Sequence, residues 1–111
     1  MENINIISRD QLLNMIKNKE SFRLAEVLSK EQYAEGHLPS AISLPVNEII
    51  NSAPKLFPNK KEKIVVYCMN FDCQASTTAA QILQGMGYEN VFDYKGGKQD
   101  WLSGGLNFEN K

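Results

Sequence analysis

The sequence predicts one α/β domain built on a parallel sheet with helices on both faces. Three observations predict it. Short β-branched runs alternate with segments of helical periodicity, the order that builds a parallel sheet. Residues 64–67 (Ile-Val-Val-Tyr) are apolar at every position, as in a strand covered on both faces. The 111 residues suffice for one core, and no repeat, low-complexity tract or linker divides them, so residues 1–111 read as a single domain.

Each element has its own signal. Residues 4–7 are a short apolar run, expected as an edge strand. Ser8 stands three residues before Gln11, the spacing of a capping box, and Leu12, Leu13 and Ile16 follow at helical intervals, giving a helix over 9–18. Residues 22–28 read as a second strand and 31–34 as one helical turn. Gly36-His37-Leu38-Pro39 is a loop, and residues 41–44 form a short strand that ends at Pro45. Asn47 is placed to cap a helix over 48–53. Pro54, Pro58 and the charged run Lys60, Lys61, Glu62 and Lys63 read as a solvated surface connection. After the buried strand comes a polar loop over 68–74, then a helix over 75–84 closed by Gly85 and Gly87. Residues 91–94 are a last strand, Gly96-Gly97 a turn, and 98–102 a final short helix.

Composition narrows the function. Hydrophobic residues at 42% and charged residues at 23% fit a soluble globular domain. A net charge of −1 gives no electrostatic footprint for nucleic acid or an anionic membrane. No apolar stretch approaches the ~20 residues of a membrane helix. The N-terminal segment has neither a basic n-region nor an apolar h-region, so no signal peptide is expected and the cytoplasm is the expected location. Two cysteines and one histidine are too few for a four-ligand zinc site within one chain, and a reducing compartment disfavours a structural disulfide. Thiol reactivity is the chemistry left.

Cys68 stands where that chemistry would act. Open α/β sheets bind ligands beyond the carboxyl ends of their strands, and Cys68 follows the buried strand directly. The helix beginning near Ala75 offers unpaired amides and the positive end of its dipole, which favour a thiolate and can cradle an anion. Free cysteines are also among the most buried residue types, so a packing role stands beside the nucleophilic one.

Several segments match one family in order. Gly36-His37-Leu38-Pro39-Ser40-Ala41-Ile42 resembles the Gly-His-Ile-Pro-Gly-Ala segment of rhodanese-like domains. Val65-Val66-Tyr67-Cys68 is similar to the strand leading into their catalytic cysteine. Gly87-Tyr88-Glu89-Asn90-Val91 resembles their Gly-Tyr-x-x-Val element, and Gly96-Gly97-Lys98-Gln99-Asp100-Trp101 their Gly-Gly-x-x-x-Trp signature. Gly105-Leu106 resembles the Gly-x-Pro tail. The resemblance covers residues 8–108 and implies a three-layer α/β/α fold with a central, mostly parallel sheet of about five strands. It implies a sulfurtransferase. Cys68 takes a sulfane sulfur from a donor (thiosulfate or a persulfide), holds it as a persulfide, and passes it to a thiol or protein acceptor. The backbone amides of Met69, Asn70, Phe71, Asp72, Cys73 and Gln74 would form the anion cradle. No metal or organic cofactor is implied, nor a nucleic acid or membrane partner.

Three departures qualify that expectation. The loop carries no Gly, Arg or Lys, and its one charged side chain, Asp72, opposes a dianion, so poor thiosulfate turnover is expected. The loop is one or two positions longer than the common sulfurtransferase loop. The related phosphatases use Cys-x5-Arg, but Gln74 stands at that arginine's place, so phosphoryl transfer loses its cation. The strand usually ending Asp-x-Arg reads Glu26-Val27-Leu28: Glu26 can replace the aspartate that braces the loop, whereas Leu28 cannot replace the arginine. Cys73, five residues after Cys68, reads either as a resolving thiol that would close a disulfide with Cys68, or as a small packed residue. The alternative function is therefore a sulfur-relay or thiol-redox module working with a partner protein through Cys68 and Cys73; a non-catalytic interaction domain is a third.

Other candidates read as structural. His37 resembles a turn-forming histidine, and Trp101, Tyr94 and Tyr88 read as packing residues. Lys95 and Lys98 flank the Gly-Gly turn and can supply positive charge at the loop mouth. Ser76 and Thr77 read as caps of the helix that follows the loop.

Overall fold

In a computed structural model, residues 4–109 are described, and they form one five-stranded sheet with helices on both faces. The chain runs β1 (Asn5–Ile7), α1 (Arg9–Lys17), β2 (Arg23–Glu26), α2 (Lys30–Ala34), β3 (Ile42–Ser43), a 3-10 turn (Val46–Glu48) leading into α3 (Ile49–Leu56), β4 (Lys63–Tyr67), α4 (Ala75–Gly85), β5 (Asn90–Tyr94) and α5 (Gly97–Ser103). Strand order is β1-β5-β4-β2-β3, and every pairing is parallel. The sheet is thus the expected one, with β1 at an edge and β4 in the middle.

Pleating divides the core in two. Ile64 and Val66 face Ile49 and Ala53 of α3 and Ala79, Ala80 and Leu83 of α4. Val65 and Tyr67 face Leu12 and Met15 of α1 and Trp101 of α5. All four residues of this run are fully buried. Each contributes about 1.5–3 kcal/mol of apolar burial, which explains why β4 is continuous in hydrophobicity where an exposed strand would alternate.

Two capping boxes set helix entries. Ser8 Oγ accepts from the Gln11 amide at 3.1 Å, while Gln11 Oε1 accepts from the Ser8 amide at 2.7 Å. Ser29 and Gln32 repeat the arrangement at 3.1 and 3.2 Å to start α2. Ser29 and Gln32 stand at the same three-residue spacing in the sequence as Ser8 and Gln11.

The segment after β3 differs from expectation. Asn47 caps nothing: it lies within the 3-10 turn, and α3 begins after Glu48 without a side-chain cap. Pro54 does not interrupt the helix but sits inside it. It lies on the exposed side of the helix, as does Ile50, whose carbonyl loses its helical amide donor to the proline. Gly85 belongs to α4, and Gly87, at φ +98°, makes the turn out of it. Lys60 and Lys63 are held, not simply solvated. Lys60 Nζ donates to the Met86 carbonyl at 2.7 Å, and Lys63 pairs with Glu20 at 2.7 Å.

Candidate functional site

Strand parity decides where Cys68 points. Continuing the alternation of β4, its side chain falls on the Ile64–Val66 face, packed in the α3–α4 cluster and fully covered. Its Sγ accepts from the Ser76 amide at 3.4 Å and approaches the Cys73 carbonyl at 3.6 Å as a thiol donor. The Ser76 hydroxyl is buried without a hydrogen-bond partner of normal length, and its proximity works with the Ser76 amide to favour negative charge on Cys68. Burial, and then the Cys73 side chain, outweigh both and push the Cys68 thiol up.

Cys73 has the opposite balance. It is partly exposed, at the turn from the loop into α4. Burial alone would raise it; the hydrogen bond with the Cys68 side chain, the Met69 and Ala75 amides and the Lys95 charge reverse that and hold its thiol below the ordinary cysteine value. The first turn of α4 thus lends an amide to Cys68, while the depressed thiol is that of Cys73.

The loop amides are not all free for a ligand either. Asn70 Oδ1 accepts from the Asp72 and Cys73 amides, each at 3.1 Å, and the Asn70 carbonyl takes a further bond from Cys73 at 3.1 Å. Sequence reading gave Asn70 no such role, although Asn two residues before Asp72 is an Asx-turn signal. Phe71, Asp72 and Gln74 stand exposed on the outer side of the loop, while Met69 and Asn70 are partly covered.

What braces the loop is now clear. The Lys98 and Gln99 amides, at the start of α5, donate to the Cys68 and Met69 carbonyls at 3.0 and 2.8 Å. Gly97 lets them approach: it sits at φ +64°, and a Cβ there would lie 2.3 Å from the Cys68 carbonyl oxygen. Glu26 is fully buried, accepting from the Tyr67 hydroxyl at 2.9 Å and from Lys98 Nζ at 3.1 Å. Lys98 is the cation that Leu28 could not supply. It does not lend charge to the loop mouth as expected, being buried against Glu26 and the Gln32 carbonyl at 2.7 Å. Lys95 does reach the loop, donating to the Cys73 carbonyl. Neither Ser76 nor Thr77 caps α4; Thr77 Oγ1 donates to the buried Asp93 at 3.1 Å.

The profile described as "Rhodanese-like domain" matches residues 8–104. The chain belongs to the rhodanese-like family. Among curated relatives, the human "Thiosulfate:glutathione sulfurtransferase" is 29% identical over 90 residues, covering 72% of this chain and 78% of that protein. The "Adenylyltransferase and sulfurtransferase uba4" of Ogataea parapolymorpha is 29% identical over 99 residues, covering 87% of this chain but 25% of the longer protein. The solved BH2092 protein of Bacillus halodurans superposes with a TM-score of 0.85 at 29% identity, covering 96% of this chain and 77% of that one. This rhodanese-like chain thus keeps company with proteins that transfer sulfur. Its His37 fits the structural reading: the ring stacks on Tyr33 at 3.8 Å, with Nδ1 3.1 Å from the Tyr33 carbonyl and Nε2 3.8 Å from the Glu109 carboxylate. Trp101, Tyr94 and Tyr88 likewise spend their polar atoms internally, on the Asn107 carbonyl, Asp100 and the Phe57 carbonyl.

Proposed function

We propose that this rhodanese-like domain is a sulfurtransferase in which Cys68 carries the sulfane sulfur as a persulfide and delivers it to a thiol acceptor. One observation carries the reading: Cys68 directly follows the central strand with a helix amide on its sulfur, and beside it lies the buried Ser76 hydroxyl, without a hydrogen-bond partner of normal length. An orphaned buried hydroxyl costs about 1–3 kcal/mol, a cost relieved when a second, anionic sulfur gives it an acceptor. A persulfide supplies that sulfur.

The donor is a persulfide rather than thiosulfate. Asp72 is the loop's one charged side chain and is exposed, the Asp72 and Cys73 amides are committed to Asn70, and Lys98 is neutralised by Glu26. Beyond Lys95, which is bonded to the Cys73 carbonyl, a sulfonate dianion finds little at the loop to replace its water. Cyanide-dependent thiocyanate formation, run with glutathione persulfide and with thiosulfate, tests both statements. Turnover with glutathione persulfide, weak turnover with thiosulfate, and a one-sulfur mass increase that disappears in the doubly substituted Cys68→Ser/Cys73→Ser chain are expected. Equal turnover with the two donors overturns the donor preference, and absence of any sulfur adduct overturns the carrier role.

A second reading, a thiol-redox module acting with a partner protein, is favoured by the closeness of the two cysteines, the Cys68 thiol donating to the Cys73 carbonyl at 3.6 Å. Its signature is a Cys68–Cys73 disulfide with release of sulfide, followed by reduction by a partner dithiol.

A further inference from the structure

The two cysteines differ in what they can meet. Cys68 is fully covered by the α3–α4 cluster, and no donor reaches its sulfur without the loop opening. Cys73 is partly exposed on the same loop, and the Cys68 thiol donates to the Cys73 carbonyl at 3.6 Å. The Lys95 ammonium, bonded to the Cys73 carbonyl, provides the nearby positive charge an anionic donor needs. We propose that Cys73 is the entry thiol: it takes the sulfur from a persulfide donor and hands it inward to Cys68. This rests on the sulfurtransferase reading above and assigns its first step.

The steps balance without any oxidant or reductant. The Cys73 thiolate attacks the outer sulfur of a donor R–S–S⁻; a Cys73 sulfur–sulfur bond forms, the donor's own sulfur–sulfur bond breaks, and R–S⁻ leaves. Cys68 then attacks that outer sulfur. The new bond is at Cys68, the bond to Cys73 breaks, and the Cys68 thiol proton passes to the departing Cys73 sulfur. The sulfur oxidation level is unchanged throughout. A depressed thiol at Cys73 and a raised one at Cys68 suit these roles, since the first attack needs a thiolate and the second begins from a proton donor. Once inside, the persulfide meets the Ser76 amide and the buried Ser76 hydroxyl.

The test is site-resolved loading of the full chain with glutathione persulfide, quenched by iodoacetamide. Chymotryptic cleavage after Phe71 places the two cysteines on separate peptides. In the native chain the adduct is expected on Cys73 first and on Cys68 afterwards. Cys68→Ser is expected to stop the sulfur at Cys73. Cys73→Ser and Cys73→Ala are expected to slow loading of Cys68 by roughly 10–1,000-fold, because a covered thiol then reacts only from a sparsely populated open state. Native-rate loading of Cys68 in both Cys73 variants, or an adduct on Cys68 preceding that on Cys73, overturns the relay while leaving sulfur transfer standing. A Cys68–Cys73 disulfide with released sulfide overturns it in favour of the redox reading. A native chain that loads at neither cysteine overturns both the relay and the sulfurtransferase reading.

Discussion

Cys68 and Cys73 differ in proton affinity because one is enclosed by aliphatic side chains while the other collects hydrogen-bond donors and a lysine. A depressed thiol holds more thiolate than a free cysteine at any pH below its own midpoint. Alkylation of Cys73 is therefore expected to follow a pH curve displaced below that of free cysteine, with Cys68 alkylated far more slowly. In Cys68→Ala the thiol donor is gone, so the Cys73 curve moves back up; an unmoved curve shows that the Cys68 contact is not what holds it down. Gly97 is the other residue with a sharp consequence. Gly97→Ala places a methyl group against the Cys68 carbonyl in left-handed backbone, a substitution expected to destabilise by more than about 2 kcal/mol and to displace the loop. Thermal denaturation reads the first effect, and loss of persulfide loading in the still-folded fraction reads the second. The placement of Cys68 was legible in the sequence: two residues beyond Val66, it must share that residue's face. Which thiol is the depressed one was not, because it depends on how residues 69–74 curl, and Asn70 sets that curl through its side chain.

At the scale of elements, the contact between α5 and the loop is the joint that matters. Lys98 enters it as half of a buried ion pair with Glu26, and truncating one member leaves the other charge unpaired in the core. Lys98→Ala is expected to cost about 3–5 kcal/mol, measured by denaturant unfolding, whereas the neutral pair Glu26→Gln with Lys98→Met recovers most of it. Failure of the double variant to recover assigns Lys98 a role beyond charge balance. The helix starts were readable because caps are local: Ser8 and Gln11 interact across three residues, and Ser8→Ala is expected to cost about 0.5–2 kcal/mol. Lys98 and Glu26 are 72 residues apart, and nothing in their local sequence states that they meet. Pro54 misled for a related reason. Local propensity forbids it in a helix, but the penalty depends on which side of the helix faces water.

For the whole molecule, the alternation of strands and helices and the continuous apolarity of β4 were enough to foresee a parallel sheet with two covered faces. Closure of the domain was not visible in that pattern. The stretch after α5 reaches the loop between α2 and β3, where Glu109 exchanges backbone hydrogen bonds with His37 at 3.0 and 2.7 Å and its carboxylate accepts from the Ser40 amide at 2.9 Å. Truncation after Leu106 removes these bonds and strips Trp101 Nε1 of its Asn107 acceptor. A loss of about 2–4 kcal/mol is expected, seen as a lower Tm; an unchanged Tm shows the segment to be dispensable. The grip of α5 on the Cys68 and Met69 carbonyls reaches furthest. Those two peptide units are pinned by another helix, whereas the Asp72 and Cys73 amides are tied only within the loop itself. The ring around the sulfurs thus has a fixed jaw and an adjustable one: the former dictates where the inner sulfur lies, and the latter can be recut by substitution to admit a different visitor without disturbing it.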